Sequence, residues 1–148
     1  MVVDILLAHP DLRAALRERA ARGVLTIITN HVVADQLAAT PDEDKRAALL
    51  ALYAALPQEQ RDTAGFIMSV SRLDRAALED DGAVPLEALS TRQRGRWHDA
   101  LIGATAAAHA DVLVTDDDKL AAKMRRSGVQ CAAWSIGEFA RFLRADVP

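Results

Sequence analysis

The chain contains a single cysteine, Cys131, among its 148 residues. One cysteine cannot form an internal disulfide, and no cysteine and histidine residues show the spacing of a structural zinc site. A long uncharged apolar run is missing too, which argues against a membrane-spanning helix. With 51% hydrophobic residues, the composition instead predicts a globular domain with a sizeable core.

A strong excess of one charge is also absent, since the formal net charge is only −3. The chain therefore has no overall basic character, and any nucleic-acid site must be a local patch or be bridged by a metal ion. The first residues, MVVDILLAHPD, lack the basic flank and the long apolar segment of a signal peptide. We expect a cytoplasmic location and no membrane partner.

Two short β-branched runs, VLTIIT at 24–29 and DVLVT at 111–115, are bounded by turn residues and stand beside helical patterns. Such runs are typical of buried parallel strands. A third run, GVQCAAW at 128–134, predicts a last strand, and GFIMSVSRL at 65–73 alternates as a strand does.

Helical patterns separate these runs. PDLRAALRERAARG predicts a helix with Leu12 and Leu16 inward and Gly23 as its stop, and a helix at 120–126 should end at Gly128. Two capping boxes are expected. In the first, Thr40 is the N-cap, Pro41 is the first helical residue, and the Glu43 side chain bonds back to the N-cap N–H. The second pairs Ser135 with Glu138 in the same way.

Strands and helices therefore alternate along the whole chain. This order predicts one domain over residues 1–148, built as a three-layer α/β/α sandwich around a central, mostly parallel sheet. In such sheets ligands bind beyond the carboxyl ends of the strands. Acidic residues that directly follow a strand are accordingly candidates for a functional site.

Three consecutive aspartates, Asp116, Asp117 and Asp118, directly follow the strand at 111–115. Aspartate at a helix start is stabilising, but capping needs one or two carboxylates. Carboxylates about 4 Å apart repel by roughly 1–4 kcal/mol at a surface-like dielectric. Three of them need either full solvation or a cation, and spacing alone leaves both alternatives open.

Two further acids fall near the same edge of the predicted sheet. Asp99 opens a small-residue helix that leads into the strand at 111–115. This helix should start at the end of the sheet where that strand finishes, so Asp99 should meet Asp117. Asp35 lies within NHVVADQL, just after the strand at 24–29. An exposed helix carboxylate explains Asp35 equally well.

The stretch DALIGATAAAHADVLVTDDDKL resembles the C-terminal half of PIN-domain nucleases, in which an Asp opens a small-residue helix and a strand ends in Thr-x-Asp. TIITNHVVADQL resembles the segment that carries the family's second acid, usually a Glu before a Leu, and MSVSRLD resembles a segment found between these blocks. The similarity covers most of the chain, and the block from Asp99 to Asp117 is its most specific part.

The resemblance implies a metal-dependent ribonuclease of the kind found among VapC-type toxins, with an antitoxin protein as partner and often a homodimeric state. By position, Asp99 and Asp117 match two of the acids that hold Mg²⁺ or Mn²⁺, and Asp116 takes a variable position. Gln36 stands where the Glu is expected, which leaves Asp35 beside it as the replacement ligand. Lys119 stands where many members carry a further Asp.

The start of the chain departs from the family. PIN domains begin with a strand ending in Asp, commonly followed by Thr-Asn or Ser-Asn, and MVVDILLAHP shows no such motif. The preferred interpretation is that this segment matches the helix after the motif, so that the first strand and first acid are missing. The competing interpretation makes MVVD a curtailed first strand with Asp4 as a metal ligand.

Two functions follow as alternatives, an active ribonuclease or a catalytically degenerate PIN-fold protein that binds without cleaving. Gln36 and the missing motif favour the second. For either, Arg92, Arg94 and Arg96 are candidate contacts to the RNA backbone, although an Arg-rich solvated loop is an equal alternative.

Overall fold

A computed structural model describes residues 2–64, 76–77 and 97–145, and over these ranges the chain is a mixed α/β protein. The helices are α1 Val2–Ala8, α2 Pro10–Ala21, α3 His31–Ala38, α4 Glu43–Ala55, α5 Trp97–His109, α6 Asp118–Arg126 and α7 Ile136–Arg144. The strands are β1 Ile27–Thr29, β2 Gln58–Gln60, β3 Thr63–Ala64, β4 Ala76–Ala77, β5 Val112–Val114 and β6 Ala132–Trp134. The strand predicted at 65–73 lies outside the described ranges.

The strands pair in parallel, as the β-branched runs that contain β1 and β5 predict. Within the described ranges they form three separate two-stranded sheets, β1 with β2, β3 with β4, and β5 with β6. Two of these pairs place a helix after the first strand and before the second, α3 and α4 between β1 and β2, and α6 between β5 and β6. Parallel neighbours need such a crossover connection.

Strand β1 is shorter than the run VLTIIT that predicts it. Val24 belongs instead to the end of α2, where its N–H donates to the Arg19 carbonyl while the Gly23 N–H donates to the Ala20 carbonyl. This pair of bonds is a Schellman cap, and Gly23 supplies the positive φ of 70° that it needs. The cap leaves Val24 41% exposed and delays the strand to Ile27.

The other predicted helix ends are mostly confirmed. Gly128 follows α6 with a φ of 71°, and Ser135 with Glu138 forms the predicted capping box of α7. The prediction for α4 is wrong, because Asp42 rather than Thr40 is the N-cap and accepts a hydrogen bond from the Lys45 N–H. Aspartate is the better capping residue, so the helix starts two residues later than Pro41 would place it.

Side chains are buried in two hydrophobic clusters. One surrounds the small-residue helix α5 and includes Leu101, Leu113 and Met124. The other joins α1, α2, α4 and α7, where Leu12, Leu16, Leu49, Leu52 and Leu143 are buried. Helix α3 contributes to both, through Val32 to the first and Leu37 to the second. In the described part of the chain, no helix has the length and apolar character that a membrane crossing requires.

Candidate functional site

Helix α5 and strand β5 lie side by side and run in opposite directions, because only two residues connect them and they are in contact. From Asp99, in the first turn of α5, to His109 the helix rises about 15 Å. Strand β5 covers Val112–Val114, and Asp117 follows its end by three residues. The antiparallel course therefore directs the helix start with Asp99 toward the end of β5 that Asp117 follows.

Asp117 is the N-cap of α6. Its Oδ1 atom accepts hydrogen bonds from the Lys119 N–H at 2.8 Å and the Leu120 N–H at 3.0 Å. The Thr115 hydroxyl accepts from the Asp117 N–H at 3.1 Å and fixes the turn. Both capping bonds use the same carboxylate oxygen. The half-buried side chain can accordingly cap the helix through Oδ1 and present Oδ2 to another group.

The other two aspartates of the run have different surroundings. Asp116 precedes α6, but its Oδ1 accepts a hydrogen bond from the Ile136 N–H at the start of α7, 3.0 Å away. Asp118 is the exposed first residue of α6. Two of the three carboxylates thus stabilise two different helix starts, where the helix dipole favours negative charge.

Helix α3 carries Asp35 and Gln36 on the side that faces α5. Val32 is fully buried in the cluster around α5, and residues three and four positions later lie on the same helix face. Those residues are Asp35 and Gln36, and both are half-buried. The sequence placed Asp35 within a short helix after β1, which is confirmed, and helical spacing brings both side chains to the α5 side.

Buried hydrogen bonds fix α3 against α5. The Asn30 Nδ2 donates to the Thr105 Oγ1 at 3.0 Å, and the Thr105 hydroxyl donates to the Leu101 carbonyl at 2.7 Å. The Asn30 Oδ1 accepts from the Val33 N–H and so caps α3. Asn30 is 2% exposed and Thr105 3%. One side chain therefore both starts the helix that carries Asp35 and ties it to the helix that carries Asp99.

Asp4 lies in α1 Val2–Ala8, so residues 2–4 are helical and do not form the curtailed strand of the competing interpretation. Its Oδ1 is 2.8 Å from the Lys45 Nζ. The hydrogen bond from Lys45 lowers the pKa of the Asp4 carboxyl below its ordinary value. This ion pair joins α1 to α4 and gives Asp4 a structural role there.

We expect Asp4→Asn to lower the free energy of unfolding at pH 7 by about 0.2–1 kcal/mol, the usual range for an ion pair with solvent access. Because the Asp4 pKa is lower in the folded protein, the stabilisation is present above the ordinary value of about 3.9 and is lost as pH falls through the folded value. Urea unfolding of both proteins at pH 7 and pH 3 measures this. A cost at pH 3 as large as that at pH 7 would contradict it.

The donor chemistry of the site residues fits a hard divalent cation, since Asp35, Asp99 and Asp117 all offer carboxylate oxygens. Within residues 2–64, 76–77 and 97–145, however, no three carboxylate, imidazole or thiol side chains converge on a single metal position. Helix α3 carries one more side chain of a type that binds metals. His31, the first residue of α3, is 5% exposed, and neither ring nitrogen has a hydrogen-bond partner within those ranges.

His31 is a residue that the sequence pattern did not single out. In TNHVVADQL a histidine after the N-cap is unremarkable, and its burial comes from tertiary packing that no local spacing reveals. The predicted RNA contacts Arg92, Arg94 and Arg96 lie outside the described residues.

Comparison of the chain with protein-family models, with curated protein sequences and with solved structures gave no match in any of the three.

Proposed function

We propose that the protein is a metal-dependent ribonuclease of the PIN-domain type that hydrolyses phosphodiester bonds in RNA. The observation that carries this proposal is the two-residue connection and the contact between α5, which begins near Asp99, and β5, whose end precedes Asp117, in the stretch whose sequence resembles that family. The Asn30 to Thr105 hydrogen bond supports it, because it brings the helix with Asp35 against the helix with Asp99.

Asp99, Asp117 and Asp35 are the residues that would hold Mg²⁺ or Mn²⁺. The bound ion would supply an activated water and stabilisation of the negative charge that builds on the phosphate. Asp117 would hold the ion through Oδ2, since its Oδ1 accepts the two N–H bonds at the start of α6. Gln36 offers a neutral acceptor oxygen beside Asp35, so it orients a ligand or water without adding charge.

The finer architecture belongs to the same proposal. We place the parallel pairs β1–β2 and β5–β6 in one central layer with helices on both sides, as a three-layer α/β/α sandwich. The parallel pairing and the position of α3 in both hydrophobic clusters support this arrangement.

Arg92, Arg94 and Arg96 would contact the RNA backbone. The biological setting would be the cytoplasm, as the toxin of a type II toxin–antitoxin pair, with an antitoxin protein as partner and a homodimer as the assembled form.

A second candidate function is RNA binding by a catalytically degenerate PIN-fold protein. Gln36 favours it, because the loss of one negative charge weakens the attraction for a divalent cation. The two functions differ in whether bound RNA is cut.

Incubation of the full chain with end-labelled single-stranded RNA in EDTA, Mg²⁺ or Mn²⁺ tests the proposed function. We expect cleavage products in Mn²⁺ or Mg²⁺, their loss in EDTA and their return when the metal is restored in excess. Binding of RNA without cleavage in any metal would favour the degenerate protein. Cleavage that persists unchanged in EDTA would contradict a metal-dependent mechanism.

A further inference from the structure

His31 is a buried imidazole without hydrogen bonds in the part of the chain that the structure describes. Its side chain is 5% exposed, and both Nδ1 and Nε2 lack a partner there. Buried polar groups in proteins are almost always paired, because an unpaired one has lost its bonds to water without replacement. An unpaired buried imidazole therefore indicates a group that it binds.

The position of His31 relates it to one acid of the proposed site. Asp35 follows four residues later in α3, on the same helix face and about 6 Å along the axis. Two metal-binding side chains with this i, i+4 spacing can reach the same ion, as the paired histidines of helical zinc sites do. The half-buried Asp35 supplies the negative charge, and the imidazole supplies a nitrogen lone pair.

We propose that His31 and Asp35 together bind a borderline divalent transition metal, of which Co²⁺ and Zn²⁺ are the best probes. Nitrogen ligands suit these ions, whereas Mg²⁺ prefers oxygen ligands and retained waters. Coordination also gives one unpaired ring nitrogen a partner.

This assignment deepens the proposed function and rests on it only through Asp35, which is a ligand in both. It predicts that the metal site of the protein discriminates against Mg²⁺ in favour of ions that accept nitrogen. The carboxylates Asp99 and Asp117 alone would give a weaker preference, because they offer no nitrogen ligand.

Thermal unfolding of the full chain in EDTA, Mg²⁺, Co²⁺ or Zn²⁺, without RNA, tests the assignment. We expect Co²⁺ and Zn²⁺ to raise the Tm by about 5–10 °C at a concentration a hundredfold above Kd. Mg²⁺ at the same concentration should raise it by much less. Bound Co²⁺ should also show a visible absorption band that indicates nitrogen coordination.

The variant His31→Leu separates a metal ligand from a packing residue. Its Tm in EDTA should rise by about 2–8 °C, because the unpaired buried nitrogens are gone, and its Co²⁺ shift should fall to the level of Mg²⁺. The matched control His109→Leu removes an exposed imidazole and should keep the full Co²⁺ shift. Asp35→Asn should reduce the Co²⁺ shift also, which provides the test if His31→Leu does not fold.

Two results would overturn the assignment. The first is a Co²⁺ shift that persists in His31→Leu or in Asp35→Asn. The second is no preference of the wild-type protein for Co²⁺ or Zn²⁺ over Mg²⁺, as expected if only an internal water pairs with His31. This test contains no RNA. If the Co²⁺ test fails while metal-dependent cleavage is intact, only the role of His31 as a metal ligand is wrong. A confirmed Co²⁺ site in a protein that never cuts RNA would instead contradict the ribonuclease.

Discussion

Replacement of Asp117 by asparagine is expected to reduce RNA cleavage by more than about a hundredfold, since loss even of a residue that supports a metal ligand costs 10–100-fold. The same change should alter the free energy of unfolding by less than about 1 kcal/mol, because asparagine caps helices as well as aspartate does. Its Oδ1 can still accept from the Lys119 and Leu120 N–H groups. Cleavage assays in Mn²⁺ and urea unfolding measure the two effects.

The neighbouring aspartates supply matched controls for this prediction. Asp116→Asn and Asp118→Asn each remove one negative charge within one residue of Asp117. The Asp116 carboxylate accepts a hydrogen bond from the Ile136 N–H at the start of α7, and asparagine retains that acceptor oxygen. Asp118 is exposed. Both variants should therefore keep cleavage within a few-fold of wild type. If all three variants lose cleavage equally, the run acts through its total charge, and the specific role of Asp117 is wrong.

Replacement of Asn30 by alanine is expected to have the largest effect on stability, a loss of about 2–4 kcal/mol. It removes the N-cap of α3, worth about 1 kcal/mol, and a buried hydrogen bond whose loss costs about 1–3 kcal/mol. The bond to Thr105 spans 75 residues of sequence, so the loss also loosens α3 from α5. Urea unfolding measures the change.

The variant Thr105→Val removes the acceptor of the Asn30 bond, together with the bonds of the same hydroxyl to the Leu101 carbonyl and the Ala64 N–H, so the double variant with Asn30→Ala isolates the tie between the two helices. Valine has nearly the same shape as threonine but cannot accept the hydrogen bond from the Asn30 Nδ2. If the two residues act through that bond, the double variant costs less than the sum of the single variants. Strict additivity would contradict a coupled pair and leave capping as the sole role of Asn30.

Local features of the fold were predictable from the sequence where their cause is local. Gly23 and Gly128 end helices because a left-handed residue is required there, and Ser135 with Glu138 satisfies two helix-start N–H groups three residues apart. The inward positions Leu12 and Leu16 follow from helical spacing. Where two local signals competed, at Thr40 and Asp42, the stronger capping residue determined the start of α4.

Features that depend on distant contacts were not predictable in this way. In the sequence, Asp116 stands next to the start of α6. Its carboxylate nevertheless accepts a hydrogen bond from the Ile136 N–H, 20 residues away. The role of Asn30 depends on Thr105, and the burial of His31 on packing around α3. The pairing of strands into three sheets depends on which edges meet, and β-branched composition predicts strands without predicting their neighbours.

Of the candidate ligands, the sequence predicts that Asp99 and Asp117 lie toward the same end of β5, because a helix and the strand that follows it through a short loop are antiparallel. It could not decide between Asp35 and Gln36. Both follow Val32 by about one helical turn and therefore lie toward α5, so the choice depends on side-chain geometry and charge.

The most direct test of the central claim is cleavage of single-stranded RNA by the full chain and by Asp99→Asn in the presence of Mn²⁺. Thermal unfolding of both proteins is the control for folding, since asparagine preserves the shape of the side chain. We predict that wild-type protein cleaves the RNA and that Asp99→Asn, with an unchanged Tm in EDTA, does not. Equal cleavage by the two proteins would contradict the proposed metal-dependent ribonuclease site.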